Sequence, residues 1–443
     1  MRKNQDLYAI YSQYERFLTG YAVAVLRLLP EGFPSVEDRL LKVLRGGGFP
    51  LTPEAFAEHL QRSPEGDATR EVLVGALTEM QHQLLDLLDT LSGDIGREIT
   101  YRPLSFLSEH GEGADPAFAL TTLARGGHLR AREDLLERFS HWPAGLRWAV
   151  LALLEHEGDW HWMGLFLASL KDHEPEVIRV AVTAIGKSGV AGASTRLLGL
   201  LKNHGEGVAV SAALALARLR DPEAIDPLMD LAGRTRSQKV RATVVSALGE
   251  YSDPKLIAFL ARHLEYREAR VRANALTALR KVFQSLGRSE ESVVEKMKLL
   301  LDDSDHRVRA DAIHSLWELG HMESVEHIES MLQDEKAETR ASAAWLCGRL
   351  KLFQLRETLI GLMRDPEWNV RKTSAVALLV FGDTGRQALR TLSESGSPEQ
   401  QISAVFALSL THDPKSVERL LRLAQTGEEL SQGTTDLLLR LSR

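Results

Sequence analysis

At 443 residues, with 44% hydrophobic and 26% charged content, the chain has the make-up of a soluble folded protein, yet it is too long for one ordinary compact core. Its net charge of −7 falls mostly on residues 1–112, where 11 Lys+Arg stand against 17 Asp+Glu, so no part has the basic excess of a nucleic-acid binder. A single cysteine, Cys347, excludes an intrachain disulfide and a multi-cysteine zinc site. No apolar run approaches the ~18 residues of a membrane span, and the N-terminus lacks the apolar block of a signal peptide, so the expected location is cytoplasmic.

In chain order, residues 1–112 read as helices over about 7–29, 36–44, 53–61 and 69–91. Breaks stand at Pro30-Glu31-Gly32, Gly46-Gly47-Gly48 and Ser63-Pro64. The first helix carries Tyr11, Tyr14, Leu18, Tyr21, Val25 and Leu28 at 3-4-3-4-3 spacing, and the last carries Leu73, Leu77, Met80, Leu84, Leu87 and Leu91 at 4-3-4-3-4. Such narrow heptad seams suit the pairing of two helices. The leading expectation is an intramolecular cap domain, 1–112, with a homodimerisation or partner-docking helix as the alternative. The three-glycine run is a turn, since no Lys-Ser/Thr follows to make a phosphate loop.

Next comes an aromatic cluster. Trp142, Trp148, Trp160 and Trp162 fall within 21 residues, with His141, His156 and His161 among them. Large aromatics anchor interfaces, so Trp160 and Trp162 are candidate partner-binding residues. The alternative is that the cluster fills the join between the N-terminal region and the remainder of the chain.

That remainder is periodic. The pattern apolar-Arg-x-x-Ala-x-x-Ala-Leu starts most clearly at Val240, Val271, Val308, Thr339 and Val370, and more weakly at Leu146, Val177, Val208 and Gln400. The intervals from Leu146 are 31, 31, 32, 31, 37, 31, 31 and 30 residues. A repeat of this period means a solenoid. Counting each copy from its first apolar residue as zero, positions 0, +4, +7, +8 and +11 share one helical face, and +5 is apolar while +2 is often alanine. A helix apolar or small around most of its girth is buried between neighbours. A second helix follows Asp-Pro turns at Asp221-Pro222, Asp253-Pro254 and Asp413-Pro414, where the carboxylate caps and proline takes the first helical position. Aspartates precede arginines by six residues at Asp303/Arg309, Asp334/Arg340 and Asp365/Arg371, and within-repeat pairing is expected to build a ladder through consecutive units. The interval of 37 places a surplus around 284–292, expected as a polar loop between helices.

The Asp-x5-Arg pairs, the Val-Arg-x-x-Ala core and the Asp-Pro turns resemble the HEAT-repeat family in a short form with units near 31 residues. The resemblance covers about 115–427 and is strongest over 240–381; Ala209 and Gln401 depart from the ladder arginine, and Ile178 shifts it to Arg179. It implies an all-α fold, a right-handed α-solenoid of about nine to ten HEAT-like helix pairs over 113–443 behind an N-terminal helical cap domain, and a habit of binding protein partners.

Enzymatic relatives set tests for individual residues. Deoxyhypusine hydroxylases hold iron with His-Glu pairs inside the repeat helices, whereas His156-Glu157 and His173-Glu174 fall near turns here. HEAT-like alkylpurine DNA glycosylases use a basic concave face; position +10 reads His156, Lys187, Arg218, Glu250, Lys281, Glu318, Arg349 and Val380, with acids interrupting the bases. The bilin lyases of phycobilisomes carry repeats of this length, but nothing here marks a tetrapyrrole site. Cys347, at +8, is expected as a small core residue. The exposed stripe is expected at +3, +6 and +10, which makes Trp345, Arg349, His314, Glu318 and Lys281 the candidate partner-binding residues beside Trp160 and Trp162. The expectation is a non-catalytic scaffold or adaptor that binds a protein partner on the concave surface, with no catalytic residue, cofactor or metal. A HEAT-like enzyme or lyase of the bilin type and a DNA-binding protein of the glycosylase type are the alternatives.

Overall fold

The computed structural model describes residues 2–28, 40, 67–155, 160–190, 192–203, 205–411 and 418–419. The helices expected over 36–44 and 53–61, the Asp413-Pro414 turn and the His156-Glu157 pair lie outside the described residues. Twenty-two α-helices and no strand occur among those described, and the chain divides into two compact units, Met1–Ala224 and Ile225–Arg443.

In the first unit, α1 (Arg2–Leu28), α2 (Asp67–Ile95) and α3 (Arg97–His110) precede α4 (Asp115–Arg125) and α5 (Leu129–Arg138). The chain continues through α6 (Ala144–Glu155), α7 (Met163–Ser169), α8 (Pro175–Ser188), α9 (Ser194–Asn203) and α10 (Glu206–Leu219). The heptad seam of α1 closes inside the unit: Tyr11, Tyr14, Leu18, Tyr21 and Val25 are buried, as are Leu77, Met80, Leu84 and Leu91 of α2. Tyr14 meets Phe118 of α4 edge-on at 4.8 Å, and the Tyr21 hydroxyl donates to the Thr100 carbonyl at 3.1 Å. The apolar stripes that suit helix pairing therefore bury their side chains against this chain's own residues, and α1 and α2 both pack on α6.

The second unit alternates outer and inner helices: α11 (Ile225–Arg234), α12 (Gln238–Leu248), α13 (Lys255–His263), α14 (Ala269–Leu286), α15 (Glu291–Leu299), α16 (His306–Glu318), α17 (Glu326–Leu332), α18 (Ala337–Arg349), α19 (Arg356–Leu362), α20 (Trp368–Val380), α21 (Asp383–Ser395) and α22 (Pro398–Ser409). The even-numbered helices stack in sequence, and their 0, +4, +5 and +8 positions, such as Val308, Ala312, Ile313 and Leu316, are buried. Cys347 is fully buried, and desolvation pushes its thiol up to about 12, as suits a core side chain. The six-residue surplus is mostly not a loop: α14 continues to Leu286, and only 287–290 separate it from α15, with Gly287 in the left-handed region. The amphipathic pattern of Val282 and Phe283, both buried, carries the helix onward.

Close stacking depends on glycine at position +9. A Cβ at Gly348 would lie 2.9 Å from the Cα of Ala377, and Gly186 and Gly249 meet Ala215 and Ala278 in the same way. The obstacle is backbone, so the helices would have to separate. Gly348→Ala is expected to destabilise the chain by about 1–2 kcal/mol, since overpacking outweighs the ~1 kcal/mol of helix propensity gained. Gly233→Ala, where nothing lies within 4 Å, is the neutral-to-stabilising control in calorimetry.

The ladder exists, with a different pairing from the one expected. Each arginine donates to the backbone carbonyl of the aspartate six residues before it (Arg309 to Asp303, Arg340 to Asp334, Arg371 to Asp365, at 2.7–2.8 Å). The guanidinium then reaches forward to the aspartate of the next repeat. Arg272 holds Asp303 through two bonds of 2.7 Å, and Arg340 holds Asp365 at 2.7 and 2.9 Å. Arg309 reaches Asp334 more loosely at 3.7 Å. In the first unit, Arg147 and Asp172 form the same bidentate pair. Each aspartate also caps its own turn, as Asp365 accepts from the Glu367 amide at 2.9 Å. The within-repeat carboxylate is turned away to do this, which is why the sequence spacing marks the right residues but the wrong partners. Where the aspartate is missing, Tyr266 stands in its place and takes Arg241 over its ring at 4.8 Å.

Candidate functional site

Because the 0, +4, +5 and +8 positions face the core, the inner helices present +2, +3 and +6 on their other face. On α16, α18 and α20 these positions enclose a groove of about 380 Å³. Ala310 and Ala341, both at +2, line it and keep it open, since neither side chain extends beyond Cβ. Asp311, Ser342 and Thr373, all at +3, line it in successive helices, and Trp345 at +6 forms a wall. Trp345 is 45% exposed, a large amount for an aromatic, and its ring meets the edge of His314 at 5.9 Å.

The electrostatics of the groove centre on Asp311. Burial pushes its carboxyl up to about 6; Arg280 opposes this and Asp305 adds to it. Among the described residues it makes no hydrogen bond or ion pair, although Arg307 lies one turn earlier on its own helix. His306 shares a hydrogen bond with Ser342 Oγ through Nδ1 at 2.8 Å, and Glu338 and Asn369 complete the rim.

The residues expected on the stripe divide. Trp345 is exposed on it. His314 is not: it is 7% exposed and lies beneath Trp345, accepting at Nε2 from Arg349 Nε at 3.2 Å. Burial, with Arg280 and Arg349 nearby, holds this imidazole below its usual range and hence neutral. It is buried because Trp345 and Arg349 of the next repeat and Glu318 of its own helix pack around the ring. Arg349 thus supports His314, and Glu318 lies 3.7 Å from the same ring. Lys281 salt-bridges Glu250 of the preceding repeat at 2.5 Å, and Lys187 repeats the pattern with Glu155 at 2.7 Å. The stripe's cations are therefore largely held by neighbouring repeats.

The aromatic cluster divides: two of its tryptophans are interior, Trp142 is half-buried, and His141 and His161 are exposed. Trp148 and Trp162 are buried, and Arg132 lies over the Trp162 ring at 5.3 Å. Trp162 offers no surface to a partner, because the join between α5 and α7 needs its volume. The Trp160 side chain lies outside the described residues. Asp311, His306 and Ser342 were missed in the sequence. The available signal was at position +3, where Ala149, Val180, Ser211, Thr243, Asn274, Ser342 and Thr373 are all uncharged and Asp311 alone carries charge.

The family of HEAT repeats matches over residues 163–241, 206–280, 234–317, 294–379 and 325–395, together more than half of the chain. No relative was found among curated proteins. Among solved structures, the CpcE–CpcF complex of phycocyanin lyase from Nostoc sp. PCC7120 is similar at 22% identity and TM-score 0.31, covering 35% of this chain and 99% of that one. Human deoxyhypusine hydroxylase is similar at 22% identity and TM-score 0.27, over 58% and 96% of the two chains. Yeast importin-beta (Kap95p) is similar at 13% identity and TM-score 0.47, over 91% and 66%.

Proposed function

The chain belongs to the HEAT-repeat family, and we propose that it is a non-catalytic, cytoplasmic scaffold that binds a protein partner on the inner-helix face of its second unit. The observation that carries this reading is the groove over α16, α18 and α20, where the ring of Trp345 stands 45% exposed as one wall beside a polar rim. Exposed aromatics beside a polar rim are the usual anchors of protein interfaces. Residues 1–112 act as the cap of the repeats; the burial of their seams within the first unit supports this over homodimerisation.

Tagged full-length protein should therefore capture a discrete protein from lysate of its source cells. Trp345→Ala should abolish capture while lowering stability by only about 1–2 kcal/mol, the cost of the half-buried ring that covers His314, so the chain stays folded. A bound chromophore in the visible spectrum of the purified protein would favour a lyase instead. Salt-sensitive retention of DNA would favour the nucleic-acid reading.

A further inference from the structure

We propose that the groove over α16, α18 and α20 receives a basic side chain, lysine or arginine, from the bound partner, with Asp311 as its counter-charge and Trp345 as its aromatic wall. The inference deepens the scaffold reading and rests on it. Three observations converge. Asp311 lines the groove, is half-buried, and closes no hydrogen bond or ion pair among the described residues. A carboxylate left so is normally paired. The nearby cations close no hydrogen bond to it: Arg280 acts on it through charge alone, with Nη1 donating to Gln284 at 3.0 Å, and Arg307 makes no ion pair with it. Trp345 then offers the ring face that attracts ammonium and guanidinium groups.

The rest of the lining fits an extended cationic side chain. The alanines at 310 and 341 accept its methylene stem, while Glu338 at the rim adds a second negative charge. Arg307 is the one arginine lining the same groove, beside His306. His306 is engaged with Ser342, and Arg307 is exposed enough to turn outward.

The test uses full-length ¹⁵N-labelled protein and the indole N–H signal of Trp345, identified by its loss in Trp345→Phe. The probes are the pentapeptides Gly-Ser-X-Ser-Gly with X as lysine, arginine, norleucine or glutamate. The lysine or arginine peptide should shift the Trp345 signal saturably, and the norleucine and glutamate peptides should not. Asp311→Asn should weaken the basic peptides roughly tenfold, the usual consequence of losing one charge-assisted hydrogen bond. Equal shifts with norleucine, saturable binding of glutamate, no shift with any peptide, or unchanged binding by Asp311→Asn would each overturn the inference. The lysate experiment separates the two levels. Capture that depends on Trp345 but not on Asp311 leaves the scaffold standing and removes the basic side chain, whereas capture insensitive to Trp345 removes both.

Discussion

Asp365→Ala is expected to destabilise the protein by about 3 kcal/mol, because it leaves the Arg340 guanidinium in a largely buried site without its bidentate partner. The side chains are only 14% and 5% exposed, so solvent cannot replace the lost bonds as it does at a surface pair. Two roles are lost at once, since Asp365 also accepts from the Glu367 amide to start α20. Asp365→Asn separates them: it keeps an acceptor for the amide and loses the charge, so its cost should be smaller. Hydrogen exchange should place the loss on α18 and α20, since each repeat in such a stack is stabilised by its nearest neighbours.

The pH dependence has a definite sign. Burial opposes ionisation of Asp365, but the bonds from Arg340 and the Glu367 amide, with the charges of Arg340 and Arg371, outweigh it and hold the carboxyl below its usual range. A depressed folded pKa gives stability that is present above the unfolded value of about 3.9 and is lost as pH falls through the folded value. The gap between wild type and Asp365→Ala in urea unfolding should therefore be constant near neutrality and narrow only below about pH 4. A gap that closed between pH 7 and 5 would contradict a ladder built on ionised aspartates.

Asp311→Asn is expected to do the opposite and raise stability, by up to about 3 kcal/mol at neutral pH. Its carboxyl is raised from 3.8 to about 6, chiefly by burial, and each tenfold weakening of its acidity corresponds to about 1.4 kcal/mol. Here the folded pKa lies above the unfolded one, so the folded state binds more protons between them. The penalty is absent below about pH 4, grows as pH rises to about 6, and is complete above that. Melting temperatures of wild type and Asp311→Asn should coincide near pH 4 and separate up to about pH 6.5. An asparagine variant less stable than wild type at pH 7 would show that Asp311 has a structural partner. Stability lost to an unpaired carboxylate is what a binding residue, selected for something other than folding, displays.

The contrast between Asp365 and Asp311 shows how far the sequence was legible. Asp365 recurs at the repeat period, and periodicity alone marks it as part of the stacking. Asp311 occurs in one copy only, and its single mark, a charge at a position uncharged in the other copies, is shared by any solvated surface acid. Trp345 could be placed on an exposed stripe by its angle around the helix, but the same angle put His314 there as well. Trp345 of the following repeat packs over His314, so the side chain of one repeat decides the exposure of the same position in the one before.

The repeat, its helix pairs, its buried positions and the residue types of the ladder could all be read from the chain, because 100° per residue and a 31-residue period are local properties. Packing between repeats settled the rest. Each arginine reaches forward to the next repeat, the extra six residues lengthen α14, and Trp162 and His314 are interior. Packing also brought Asp311 of one repeat to a groove with Ser342 and Trp345 of the next. Those outcomes depend on distances between helices, and helix separation is fixed across repeats, which no single copy of the pattern contains.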